Sequence, residues 1–133
     1  MSESQPIHLG PLQQIVQHAD DLERAVSFYR DVLGIHFIAK FDPPGLAFFD
    51  LAGTRLLLEG AAASTILYFR VPDIDAAYRA LLDRGVGFEG EPHVIHRDTA
   101  GDFGPAGEEE WMAFFRDSEG NLLALASRRR ASA

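Results

Sequence analysis

An α+β fold is predicted, in the order strand, helix, three strands, repeated once. Three observations predict it. Two helix-opening aspartates, Asp21 and Asp73, stand 52 positions apart. Each follows a strand-like run. Each helix is then followed by short runs separated by glycine- and proline-bearing turns. A repeat of this length implies two copies of one supersecondary unit, and helices on one face of a mainly antiparallel sheet define the class.

The first strand is predicted over Leu12 to Ala19. Asp20-Asp21-Leu22-Glu23 then opens a helix, because an aspartate can accept a bond from a free N–H of the first turn, and Glu23 follows Asp20 at capping-box distance. Leu22, Ala25, Val26, Tyr29, Val32 and Leu33 recur at spacings of three and four, which puts them on one helical face, and Gly34 supplies a left-handed stop. His36 to Phe41, Leu46 to Leu51 and Arg55 to Glu59 read as three strands. Asp42-Pro43-Pro44-Gly45 and Ala52-Gly53-Thr54 between them are turn chemistry.

The second unit repeats the order. Thr65 to Val71 is its strand, and Pro72-Asp73 opens its helix. Ile74, Ala77, Tyr78, Leu81 and Leu82 form the buried stripe of that helix, and Gly85 ends it. Strands follow at Val86 to Glu89, extending through His93 to His96, then at Trp111 to Arg116 and Leu122 to Ala126, with Ser118-Glu119-Gly120-Asn121 as the last turn. The glycine- and acid-rich run Asp98 to Glu110 reads as a mobile loop, either a plain surface loop or a lid over a site. Residues 1–10 read as a flexible N-terminus, and residues 128–133, with Arg128-Arg129-Arg130, as a frayed, disordered tail. One domain then spans about 11–127, its two modules about 11–60 and 64–127.

Composition narrows the function. A chain of 133 residues suits one domain, and 47% hydrophobic with 24% charged residues is a folding composition. Twenty acidic against 12 basic residues give a net charge of −8. That balance argues against nucleic-acid partners, which need a cationic surface, and against docking on an anionic membrane. It is compatible with a cationic ligand, though solubility is the plainer reading. The absence of cysteine excludes disulfides, thiolate metal sites and a cysteine nucleophile. No apolar run approaches the roughly 20 residues of a membrane span, and no signal-peptide pattern opens the chain, so a cytoplasmic location is expected.

The run Asp21-Leu22-Glu23-Arg24-Ala25-Val26-Ser27-Phe28-Tyr29-Arg30-Asp31-Val32-Leu33-Gly34 resembles the first helix of the vicinal oxygen chelate superfamily. That group includes glyoxalase I, bleomycin-resistance proteins, fosfomycin-resistance enzymes, methylmalonyl-CoA epimerase and extradiol dioxygenases. Val71-Pro72-Asp73-Ile74-Asp75-Ala76-Ala77 resembles its second helix start. Phe115-Arg116-Asp117-Ser118-Glu119-Gly120-Asn121 resembles its closing turn, with serine in place of the usual proline. The resemblance spans about 11–127. It implies two βαβββ modules whose sheets curl into a half-open barrel around a cavity, and commonly a homodimer, in some members with modules exchanged between chains. A fold that hosts many chemistries does not name a reaction, so the cavity residues must.

Alternation along a strand sorts those residues. Ile66, Tyr68 and Arg70 should face the cavity, and Leu67, Phe69 and Val71 the helix. By the repeat, Gln14, Val16 and His18 face the cavity, and Ile15, Gln17 and Ala19 the helix, where Gln17 fits awkwardly unless it sits at an edge or a dimer contact. The resemblance implies four metal-ligand positions, which fall on Gln14, Ile66, Leu57 and Ala124. Only Gln14 carries a donor, and Glu59, on the face of Leu57, supplies a second only through a register slip. One amide and one carboxylate fall short of the about four ligands of zinc or about six oxygens of magnesium. No cofactor is expected; a divalent metal on Gln14 and Glu59 is the weaker alternative.

His18 suits an acid or base near neutral pH, or a hydrogen-bonded place in the wall. His93 and His96, three apart in a strand, should face opposite sides and make a poor chelate. Arg70 suits a carboxylate or phosphate, or an ion pair with Glu59 or a partner chain. Phe114 should face away from Trp111 and Phe115, one set being core and the other cavity wall. Ser27 and Ser64 lack a nucleophile elbow, and no phosphate-cradling glycine loop precedes a helix. The ligand-contacting set is therefore Gln14, Val16, His18, Leu57, Glu59, Ile66, Tyr68, Arg70, Phe114 and Ala124, with His18, Tyr68 and Glu59 as catalytic candidates. A small-molecule-binding protein without the family metal is expected. The alternatives are a metal-dependent lyase, isomerase or dioxygenase, and a metal-free acid–base enzyme.

Overall fold

The computed structural model describes residues 12–131, so the N-terminal segment expected at 1–10 and residues 132–133 lie outside it. The first module comprises β1 (Gln14–His18), α1 (Leu22–Ser27), β2 (His36–Phe41), β3 (Leu46–Leu51) and β4 (Thr54–Glu59). The second comprises β5 (Leu67–Arg70), α2 (Ile74–Asp83), β6 (His93–Asp98), β7 (Glu108–Arg116) and β8 (Leu122–Arg130). Each module forms its own four-stranded sheet, ordered β1-β4-β3-β2 and β5-β8-β7-β6. The β1–β4 and β5–β8 pairs are parallel, as a strand–helix–strand crossover requires, and the remaining pairs are antiparallel. Among the described residues no strand pairing joins the two sheets, so the barrel stays open. No helix among these residues is long and apolar enough to cross a membrane.

The helix-facing strand residues make one continuous core. Leu56, Leu58, Ala47 and Phe49 bury against Ala25, Val26 and Tyr29, while Leu67, Phe115, Leu123 and Leu125 bury with Ile74 and Leu81 of α2. Both helices start as expected, with Asp21 Oδ1 accepting from the Arg24 N–H and Asp73 Oδ1 from the Ala76 N–H, each at 3.1 Å. The reciprocal carboxylate of the first cap is not Glu23. Glu119, from the turn before β8, accepts from the Asp21 N–H at 2.7 Å and from Arg24 Nε at 2.7 Å.

That contact belongs to a junction between the modules. The first helix, expected to run regularly to Leu33, widens after Ser27 into a π-helical turn (Phe28–Val32) that holds Tyr29 fully buried. Such turns often mark a specific side-chain placement. Here the Tyr29 hydroxyl donates to Asp117 Oδ2 at 2.8 Å. Asp117 also accepts from the Glu119 and Asn121 N–H groups and from Asn121 Nδ2. Asn121 Nδ2 reaches back to the His18 carbonyl at 2.6 Å, and Asn121 Oδ1 accepts from the Ser64 hydroxyl. Gln17, the awkward residue of β1, is buried in this junction and accepts the Thr65 N–H through Oε1 at 2.8 Å. Burial, followed by the Asp117 charge, pushes the Tyr29 hydroxyl pKa up, so it stays a neutral donor.

Three expectations need correction. Arg128-Arg129-Arg130 is strand, not tail, because Glu110, Glu109 and Glu108 of β7 stand opposite these arginines in register, and opposite charges across a ladder are stabilising. Arg129 also stacks 3.5 Å above the Trp111 ring and pairs with Asp75 of α2. The loop after Asp98 is pinned rather than lid-like. Asp98 accepts the Asp102 and Phe103 N–H groups, and the Arg128 guanidinium bonds Asp98, Glu108 and the Pro105 carbonyl. A Cβ on Gly104 would stand 2.8 Å from Arg128 Nε, so glycine is what lets the loop close over the guanidinium. Finally, the run at Val86 to Glu89 forms only an isolated bridge, Phe88 to Phe115, before β6 begins at His93.

Candidate functional site

The register brings the expected site residues together as two groups. On the first sheet Val16 pairs with Leu57 and His18 with Glu59, and Gln14 stands beside Arg55. On the second, Tyr68 pairs with Ala124, which in turn faces Phe114, and the Tyr68 and Phe114 rings lie edge to face at 6.4 Å. Phe115, on the other face, is fully buried, as the alternation requires. Ala124 is also fully buried, between Tyr68 and Phe114, so it forms the floor of the face and is not a contact surface as expected.

His93 and His96 depart from simple alternation. A bulge at Ile95 sets His93 opposite Met112 and His96 opposite Glu110, two residues apart and therefore on one side. Their rings pack separately, His93 near Phe114 and His96 edge-on to Phe103. Among the described residues no group of three or more His, Cys, Asp or Glu side chains is arranged to hold a metal ion.

The resemblance implies four metal-ligand positions. Ile66, Leu57 and Ala124 have no donor atom. Gln14 has one carbonyl oxygen, and it accepts from Arg55 Nε at 2.7 Å. A cation at that oxygen would sit against a guanidinium, a repulsion that a neutral amide does not offset. The donors at these four positions do not fit a divalent ion, and Glu59, opposite His18 on the same sheet, adds one carboxylate at most.

His18 is likewise committed. Nε2 lies 2.8 Å from Asp20 Oδ1 and Nδ1 lies 3.1 Å from the Ala62 carbonyl. Both partners accept, so the site favours the imidazolium, which donates from both nitrogens. The Asp20 hydrogen bond, only partly opposed by burial, raises the His18 pKa above 6.5. Both nitrogens are engaged, so His18 stands as a hydrogen-bonded residue of the wall, and an acid or base role would require its bond to the exposed Asp20 to open.

The concave features converge on β5. A groove of about 700 Å³ runs along it, lined by Thr65 to Arg70 on one side and by Leu12, Ile15, His36 and Asp50 on the other. Large apolar surface stays open there, with Leu12 70%, Ile66 44% and Tyr68 55% exposed. A second cavity, of about 460 Å³, lies where Arg70, Glu110, Ala126 and Arg128 share a face. Arg70 lines both, and among the described residues it makes no ion pair and no side-chain hydrogen bond, so the alternative of a pair with Glu59 is not formed. Gln14, Val16, His18, Leu57 and Glu59 lie on the first sheet and line neither cavity. His36 and Asp50, which do line the groove, escaped the sequence reading. They pair across β2 and β3, strands that the four-ligand comparison does not touch, and only the three-dimensional approach of the modules brings them to β5.

Comparison with known proteins agrees with this architecture. The sequence pattern of the Glyoxalase/Bleomycin resistance protein/Dioxygenase superfamily matches residues 12–125. The uncharacterized protein YraH of Bacillus subtilis (strain 168) is 29% identical over 135 residues, covering 86% of this chain and 95% of its own. Two solved structures share the fold. The lactoylglutathione lyase of Agrobacterium tumefaciens superposes with a TM-score of 0.71 at 22% identity, over 90% of this chain and 94% of that one. TnmS3, an antibiotic binding protein from Streptomyces sp. CB03234, superposes with a TM-score of 0.71 at 23% identity, over 93% of this chain and 100% of that one. With its paired βαβββ modules, open sheets and closing Asp117–Asn121 turn, the chain belongs to the glyoxalase/bleomycin resistance protein/dioxygenase superfamily.

Proposed function

We propose that this protein binds a small molecule, without a resident metal, in the groove along β5. The observation that carries the reading is the exposure of Leu12, Ile66 and Tyr68 where they converge on one groove of about 700 Å³. That volume lies within the range of small-molecule sites, roughly 300–1,000 Å³. Large apolar side chains left open together in this way mark a binding surface. Tyr68 offers an aromatic wall, and Arg70, free of internal partners, offers a planar fork for an acidic group. The engaged oxygen of Gln14 supports the metal-free part of the reading. TnmS3, which binds an antibiotic, makes ligand capture one use of the fold. A homodimer belongs to the same reading. Val16 on the open face, Ile38 and Phe41 on β2 and Val94 and Ile95 on β6 are 37–53% exposed, an apolar surface that a second copy would cover.

A thermal-shift screen against small aromatic, carboxylic, cationic and thioester compounds tests the ligand. At least one aromatic compound should raise the midpoint saturably, as a ligand preferring the native state must. Tyr68→Ala should abolish that rise. Arg70→Ala should weaken an acidic ligand by about tenfold or more while leaving the unliganded midpoint nearly unchanged. A rise that survives Tyr68→Ala, or a panel without any saturable rise, overturns the reading.

A further inference from the structure

The helix side of β5 holds a further cavity, which meets the groove at Ile35, Phe69 and Arg70. It is a slot of about 350 Å³ between α2, the second sheet and the Leu33–Ile35 corner of the first module. Leu33, Ile35, Phe69 and Leu81 are among its walls, and apart from two arginines the lining is wholly aliphatic or aromatic. No acidic side chain lines it, although acids outnumber bases 20 to 12 along the chain. Both polar groups are guanidiniums. Arg70 reaches it from the β5 edge with no internal partner among the described residues. Arg84, at the end of α2, donates from Nη1 to the Val32 carbonyl at 2.8 Å, and that one bond fixes the guanidinium beside the slot.

The Arg84 bond ties the end of α2 to the first module, but no internal contact among the described residues accounts for Arg70. Apolar walls gain nothing from a guanidinium, and the two arginines, both exposed at the mouth, have no acidic lining residue between them to answer their charge. An apolar body ending in a carboxylate answers both features, because the chain displaces water from the walls and the carboxylate neutralises and is hydrogen-bonded by the forks. We propose that the slot binds a medium-chain carboxylic acid, its carboxylate held between Arg70 and Arg84 and its hydrocarbon body against Leu33, Ile35, Phe69 and Leu81. Phosphates and bulky aromatic acids are poorer matches, since a strongly hydrated dianion gains nothing from walls of this kind and a wide ring system needs a broader slot.

Isothermal titration of the full chain with sodium octanoate tests this, with octanol and octylamine as controls and the melting midpoint of each variant as the check on folding. Octanoate should bind saturably with a dissociation constant below about 1 mM, and octanol and octylamine about tenfold or more weaker. Ala80→Phe, at the exposed rim of the slot, should abolish binding by filling it, and Arg84→Gln should weaken it about tenfold. Tyr68→Ala, which alters only the groove, should leave octanoate binding unchanged. Equal binding of octanol, binding that survives both Ala80→Phe and Arg84→Gln, or no saturable heat overturns the proposal. Octanoate binding lost in Tyr68→Ala and kept in Ala80→Phe also overturns it, while leaving the groove reading standing.

Discussion

Asp117→Ala lowers the unfolding free energy by about 3–5 kcal/mol, a large share of the total for a domain of this size. The reason is the number of donors that the buried carboxylate serves. The Tyr29 hydroxyl, the Asn121 amide and the Glu119 and Asn121 N–H groups all end on it. Alanine leaves these donors unpaired, and several lie where water cannot reach, which is costlier than never having made the bonds. Tyr29→Phe removes one donor together with its need and should cost only about 1–2 kcal/mol. The double variant should cost less than the sum, since the two residues share a bond. Urea unfolding followed by circular dichroism measures all three. A loss under about 1 kcal/mol for Asp117→Ala would mean that the modules are joined by their apolar core alone.

The second large effect appears in acid. The Glu119 carboxyl is held well below its ordinary 4.5, at about 2. Burial works against this, but the Arg24 guanidinium, the Asp21 N–H and the Ser118 hydroxyl together outweigh it. Asp98 is also held at about 2, from an ordinary 3.8, where the Phe103 N–H, Arg128 and the Asp102 N–H overcome the same penalty. A carboxylate whose pKa is depressed by folding stabilises the fold above its unfolded value and loses that contribution as pH falls through the folded one. Stability should therefore drop between about pH 4.5 and pH 2. Glu119 accounts for about 1–2 kcal/mol of the drop, allowing for solvent screening of the half-exposed Arg24. His18 works with the opposite sign, because its pKa is raised. Its contribution is complete below about 6.5 and fades as pH rises through the folded value. Thermal melts of the parent and Glu119→Gln from pH 7 to pH 2 separate these parts. The variant should melt lower at neutral pH and show a shallower acid limb. Parallel limbs would assign the acid sensitivity elsewhere.

Much of this fold was legible because alternation and repetition are local properties. The spacing from Asp21 to Asp73 announced two modules, and the pattern through Leu67, Tyr68, Phe69 and Arg70 sorted buried from open side chains as the structure does. What escaped the sequence depends on contacts between distant residues. Arg128 to Arg130 look like a tail until Glu108 to Glu110 are set opposite them. The bulge at Ile95, which turns His96 to the side of His93, leaves no composition signal. The closing turn announces a family by its spelling, yet its physical role, holding one module to the other through Tyr29 and His18, is visible only in three dimensions. The candidate site was half legible. Ile66, Tyr68 and Arg70 line the β5 groove, but Gln14, Val16, His18, Leu57 and Glu59, expected to share their cavity, do not, and His36 and Asp50 reach it from the other module instead.

In the proposed function, side chains recognise a molecule and no ion is anchored. Elemental analysis by mass spectrometry, on protein purified without chelator and exchanged into metal-free buffer, tests that most directly. Each transition metal should be found far below one ion per chain, with no change on Gln14→Ala. Near-stoichiometric zinc, nickel, manganese or iron that disappears in Gln14→Ala would contradict it.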